Sequence, residues 1–156
     1  MKKLYLFFFS FIFIILSGCS KDFLKPYEDR LEGGTWRLVD INKRGIGGGS
    51  MPITFRDGEF SFFDNGELRY TDGAGNVYNG SWNMRKYWMR DRCYIDENGY
   101  EDCDEKRVRS LSITAVDFSS QRVLNEFFDD IVFTGTNRFK AFIYTGFATY
   151  IFRFRR

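Results

Sequence analysis

A chain of 156 residues has the length of one ordinary domain. Aromatic residues make up 20% of it, histidine is absent, and 23 Lys and Arg stand against 21 Asp and Glu. The missing histidine excludes Ser-His-Asp and Cys-His nucleophilic sites and the usual general base. A near-neutral balance with no long basic stretch argues against a nucleic-acid partner.

The chain opens with Lys2 and Lys3, then an almost unbroken apolar run from Leu4 to Leu16, then Ser17, Gly18 and Cys19. A run of about 13 apolar residues is too short for a lasting membrane span, which needs about 20. It fits the apolar region of a secretory signal over residues 1–18. Leu16-Ser17-Gly18-Cys19 resembles the lipobox of bacterial lipoproteins. That resemblance implies cleavage before Cys19, a diacylglycerol on its thiol and an acyl (palmitate-type) chain on its new amine. Two or more chains make anchoring stable. Cleavage would remove Lys2 and Lys3, taking the 23 cations to 21 against 21 acids, so the mature chain is formally neutral. Ser20, rather than Asp, follows the lipid cysteine, which by the same resemblance implies sorting to the outer membrane, on its periplasmic face or at the cell surface. Ser20-Lys21-Asp22 is loosely similar to charged tags that carry some Bacteroidetes lipoproteins to the surface.

Residues 19–30 read as a lipidated tether and residues 31–156 as one domain, with no internal repeat. Short runs rich in Phe, Tyr, Trp, Ile, Val and Thr, separated by Gly, Asn and Asp, predict an all-β fold. The expected strands are Gly34–Ile41; Ile53–Phe55 with Glu59–Phe63; Glu67–Thr71; Val77–Met84; Tyr87–Cys93; Cys103–Phe118; Phe127–Thr134; Phe139–Thr145; and Ala148–Phe154. Asp64-Asn65-Gly66 reads as a tight type I′ hairpin turn, and Ser119–Asn125 as a short helical turn. Residues alternate along the strands: Tyr150, Phe152 and Phe154 share one face, Ile151, Arg153 and Arg155 the other. One buried and one wet face, repeated over eight or nine antiparallel strands, predicts an up-and-down barrel or a sandwich.

Three cysteines remain to be placed. With Cys19 lipidated, Cys93 and Cys103 are left as a pair, and an exported protein meets an oxidising compartment where a bridge persists. Zinc is the rival reading; it needs about four ligands, in a chain without histidine. Between and beside these cysteines lie Asp91, Asp96, Glu97, Glu101, Asp102, Asp104 and Glu105. Calcium takes six to eight oxygens, but the spacing matches no EF-hand. A solvated hairpin tip beside Arg90, Arg92, Lys106 and Arg107 is the simpler reading. Gly45–Ser50 is glycine-rich but lacks the Lys-Ser/Thr of a phosphate-binding loop. No catalytic residue, metal site or cofactor is expected.

Gly34-Thr35-Trp36 resembles the G-x-W signature of lipocalins. Tyr78-Asn79-Gly80-Ser81-Trp82, with the Asp-Asn-Gly turn before it, is similar to small lipocalin-like lipoproteins of Bacteroidetes-type bacteria. The resemblance implies an up-and-down barrel of about eight strands. Trp36 would sit at its closed end beside a basic residue late in the chain, expected at Arg153 or Arg155. Candidate pocket or core residues are Trp36, Phe60, Phe62, Tyr78, Trp82, Tyr150 and Phe152. Two functions follow as expectations: a lipid-anchored barrel binding a small apolar ligand or a partner, or an accessory envelope lipoprotein with a filled barrel. Cavity volume discriminates them.

Overall fold

A computed structural model describes residues 25–46 and 53–156. The expected signal, Cys19, Ser20–Asp22 and most of the glycine-rich loop lie outside the described residues. The fold is all-β. A short helix, α1 (Tyr27–Leu31), precedes nine strands: β1 Thr35–Arg44, β2 Glu59–Phe62, β3 Glu67–Thr71, β4 Val77–Ile95, β5 Glu101–Asp117, β6 Arg122–Phe128, β7 Asp130–Gly135, β8 Arg138–Tyr144 and β9 Thr149–Arg155.

These strands form one antiparallel sheet in the order β6-β5-β4-β3-β2-β1-β9-β8-β7. Every neighbour except the β1–β9 pair is also consecutive in sequence, so the sheet is a meander whose last strand returns beside its first. The expected closed barrel of about eight strands is not formed, because β6 pairs only with β5 and β7 only with β8. Directions alternate along the sheet, so its two edge strands run the same way. Asp129 alone separates them. Together β6 and β7 are one strand bent at Asp129, its first half joined to one edge of the curl and its second half to the other.

Side chains hold the seam that the backbone leaves open. Asp130 is buried, and its Oδ1 accepts the Arg109 N–H of β5 at 3.2 Å, where a ladder carbonyl would otherwise sit. Helix α1 wedges beside it. Tyr27 takes the Arg109 guanidinium at 3.7 Å from its ring centroid and meets Phe133 of β7 edge-on at 5.1 Å. Residues 27–30 belong to the segment the sequence assigns to the tether, yet Arg30 and Leu31 are buried against the core. At the other end residues 53–58 run as a strap rather than the expected strand. Thr54 bonds Asn125 and Glu126 of β6, and Phe55 is fully buried against Phe60 and Tyr70.

Three local expectations change. Val77–Met84 and Tyr87–Cys93 are a single 19-residue strand, since nothing between them breaks a strand. The expected helical turn over Ser119–Asn125 is a turn followed by β6, because residues 122–128 pair fully with 111–117. In the Asp64-Asn65-Gly66 hairpin only Gly66 has positive φ (79°), which excludes type I′. Asn65 Oδ1 instead accepts the Glu67 N–H, and the loop has three residues.

Candidate functional site

The interior was the first candidate site, and it is filled. Trp36, Phe60, Phe62, Tyr78, Trp82, Tyr150 and Phe152 are all buried in one core cluster. The rings of Trp36, Phe60, Phe62, Tyr78, Trp82 and Phe152 touch one another or intervening rings: Phe62 to Trp82 at 5.5 Å, Phe60 to Tyr70 at 4.7 Å and to Phe154 at 5.5 Å, Tyr70 to Tyr78 at 5.4 Å, Phe152 to Phe128 at 5.0 Å, Trp36 to Phe139 at 4.8 Å. Edge-to-face and offset contacts at these separations are the favoured ring geometries. These side chains pack the curl rather than line an open cavity. Among the described residues, depressions open to the surface, such as one of about 570 Å³ between α1, Phe63 and Arg156 and one of about 440 Å³ beside Tyr70, Tyr78 and Arg122.

Trp36 occupies the end closed by α1, its indole N–H donating to the Leu31 carbonyl at 2.6 Å. The cation over its ring is Arg156, 4.8 Å from the centroid, not Arg153 or Arg155. Strand parity explains the correction. Phe152 and Phe154 point inward, so Arg153 and Arg155 point out, and the next inward position is 156. Arg156 also donates to the Glu32 and Thr136 carbonyls. A Cβ on Gly34 would strike the Arg156 side chain, which gives the glycine of Gly34-Thr35-Trp36 a steric reason.

Around the seam, Tyr87 donates its hydroxyl to the Asp129 carbonyl, and Asp129 Oδ2 accepts the Tyr144 N–H at 2.7 Å. Burial, then Asp130 and Asp129, pushes the Tyr144 phenol up to about 12. Burial, then the same two carboxylates, raises Tyr87. These groups stitch β4, β6, β7 and β8 together.

The feature least explained by folding is the outer part of β4 and β5. Strand β3 reaches only residues 77–81 of β4, and β6 only residues 111–117 of β5. Beyond Tyr87 and Val108 the two strands run on paired only to each other, as a ribbon about 25 Å long. Nearly every residue on it is exposed. Trp88, Tyr94, Ile95 and Tyr100 are 55–73% exposed. A lone two-stranded ribbon is marginal in water, and the Cys93–Cys103 disulfide staples this one near its tip. Both sulfurs are used in the bond, so the nearby Glu101 does not complete a metal site with them.

A bulge at Arg92 (φ 42°) shifts the register between Asp91–Asp104 and Cys93–Cys103. The extra residue puts the disulfide and Ile95 on the face that already carries Trp88, with Arg90 and its cross-strand partner Glu105 between them. From Cys93 to Glu105 there are six carboxylates and no Lys or Arg. They are spread over the ribbon, with Asp102 accepting the Tyr94 hydroxyl and Asp104 beside Arg92. Sequence reasoning foresaw the disulfide and the acidic tip but missed this arm. The available signal was the lack of any break at Arg85-Lys86, followed by charges at both parities, which leave no face for a core.

No family model matches the chain, and no curated protein or solved structure is significantly similar to it.

Proposed function

We propose that this protein is a lipid-anchored envelope lipoprotein with a lipocalin-like scaffold, and that the scaffold serves to present the β4–β5 arm to a partner protein. The observation that carries the proposal is the filled interior: the residues that would line a ligand cavity are spent on one another. The exposed side chains of Trp88, Tyr94, Ile95 and Tyr100 on the arm are a costly surface for a chain to keep without a partner. The lipocalin-like assignment is supported by Gly34-Thr35-Trp36 with a late cation over the indole, and by a meander whose last strand lies beside its first. The lipobox-like Leu16-Ser17-Gly18-Cys19 supports outer-membrane anchoring.

Native mass spectrometry of the protein purified from its own host tests the scaffold reading. The expected species is the acylated chain cleaved before Cys19 with no further mass. A reproducible small apolar adduct would refute the filled scaffold. Photo-crosslinking from position 100, compared with position 61 on the sheet's outer face, tests the arm; equal yields would remove it as the contact. Protease treatment of intact cells, with Lys21→Ala and Asp22→Ala, tests the surface tag, and unchanged cleavage would discard it.

A further inference from the structure

A second surface is independent of the arm. On the outer face of β1, β9 and β8, Arg37 lies directly opposite Arg155, and Arg155 directly opposite Arg138. In the next row Arg153 lies opposite Lys140. Like charges directly opposed across strands destabilise a sheet, so folding gives no reason for this row. Two of the five cations are neutralised, Arg37 by Glu59 at 2.6 Å and Arg153 by Asp40. Arg138, Lys140 and Arg155 make no ion pair among the described residues. The three line a surface groove of about 470 Å³, with Val39 and Thr134 in its wall. Val39 is itself half exposed. Because the mature chain would be formally neutral, such a patch is segregated charge rather than excess charge.

We propose that this groove is a binding site for an oligoanion of the phosphate class. The geometry suits it. Neighbouring strands place the backbone positions that carry the cations about 4.8 Å apart, and alternate residues of one strand about 6.7 Å apart. From adjacent backbone positions, long flexible side chains reach a shared ligand carrying two or more anionic groups. Two guanidinium forks and one ammonium supply planar, bidentate donors beside a point charge. A single small anion would engage only part of the row, so the site favours ligands with two or more phosphate groups. The phosphates belong either to a soluble oligoanion or to lipid headgroups.

The test is arginine-selective dicarbonyl footprinting of the full mature chain, read residue by residue by mass spectrometry. Sodium tripolyphosphate is one probe, added to the chain in neutral detergent. Vesicles of phosphatidylcholine with phosphatidic acid are the other, with phosphatidylcholine alone as the control. With ligand at about four times its Kd, reactivity of Arg138, Arg155 and Arg153, which also lines the groove, should fall about fivefold, while Arg90 and Arg92 on the arm stay unchanged. Protection by tripolyphosphate assigns a soluble source, and protection confined to phosphatidic acid vesicles assigns headgroups. Both side chains are exposed, so the Arg138→Ser, Arg155→Ser double variant should fold and should lose the protection of Arg153. Equal protection of Arg90 and Arg92, no protection by either probe, or undiminished protection of Arg153 in the double variant overturns the site. So does salt-sensitive self-association abolished by Arg138→Ser, which would assign the groove to the acidic tip of another copy.

Discussion

Replacing Asp130 tests whether a side chain closes the seam between β5 and β7. Its carboxylate is buried, accepts the Arg109 backbone N–H at 3.2 Å and lies 3.5 Å from the Lys106 ammonium. Asp130→Ala removes a charge-assisted hydrogen bond and leaves a backbone donor at the seam without its partner, at a cost of about 2–4 kcal/mol. The Lys106 contribution is small, since that side chain is half exposed. For a domain of this size about 1 kcal/mol corresponds to about 4 °C, so Tm should fall by about 8–16 °C. Asp130→Asn keeps a carbonyl acceptor for Arg109 and should cost about 1 kcal/mol. Thermal melts followed by near-ultraviolet circular dichroism measure both, and amide exchange at Arg109 reports the seam itself. If Asp130→Ala melted within about 2 °C of the parent, or if Asn and Ala cost the same, closure of the seam would not rest on this carboxylate.

Three further outcomes are expected. Gly34→Ala should cost about 1–2 kcal/mol by displacing Arg156 from Trp36, and should cost much less in an Arg156→Ala background; additive effects in urea titrations would refute the steric account. Cys93→Ser with Cys103→Ser should leave Tm nearly unchanged while amide protection on the arm collapses, because the staple lies outside the core; a large fall in Tm would show that the arm supports the fold. Burial, reinforced by nearby carboxylates, raises the phenols of Tyr144, to about 12, and Tyr70 above their unfolded value of about 10. Their contribution is therefore complete below about pH 10, and that of Tyr144 is lost as pH rises through about 12; phenolate absorbance of the folded protein should lag that of the urea-unfolded chain, and coincident titrations would contradict their burial.

Much of the fold was legible because it is local. Period-two patterning placed β3 and β8 within a residue, since alternate burial is written into each strand. Cysteine arithmetic identified Cys93 and Cys103 before any geometry was known. The same parity, carried two positions further along β9, points to Arg156 over Trp36. The filled interior was foreshadowed by aromatic density, yet density alone does not say whether rings meet one another or surround a space.

The sequence by itself determined the β class, the bounds of β3 and β8 to within a residue, the bridge and the acidic character of the tip, because propensity, alternation and residue chemistry act over a few residues. Only the tertiary structure decided that the sheet stays open at Asp129, that α1 and Asp130 fill the seam, and that β4 and β5 outrun their neighbours. It alone set Arg37, Arg155 and Arg138 in one row. Those outcomes depend on pairing register between residues as many as 118 positions apart, where the gain from packing is set against the entropy of closing long loops. No local pattern records that balance.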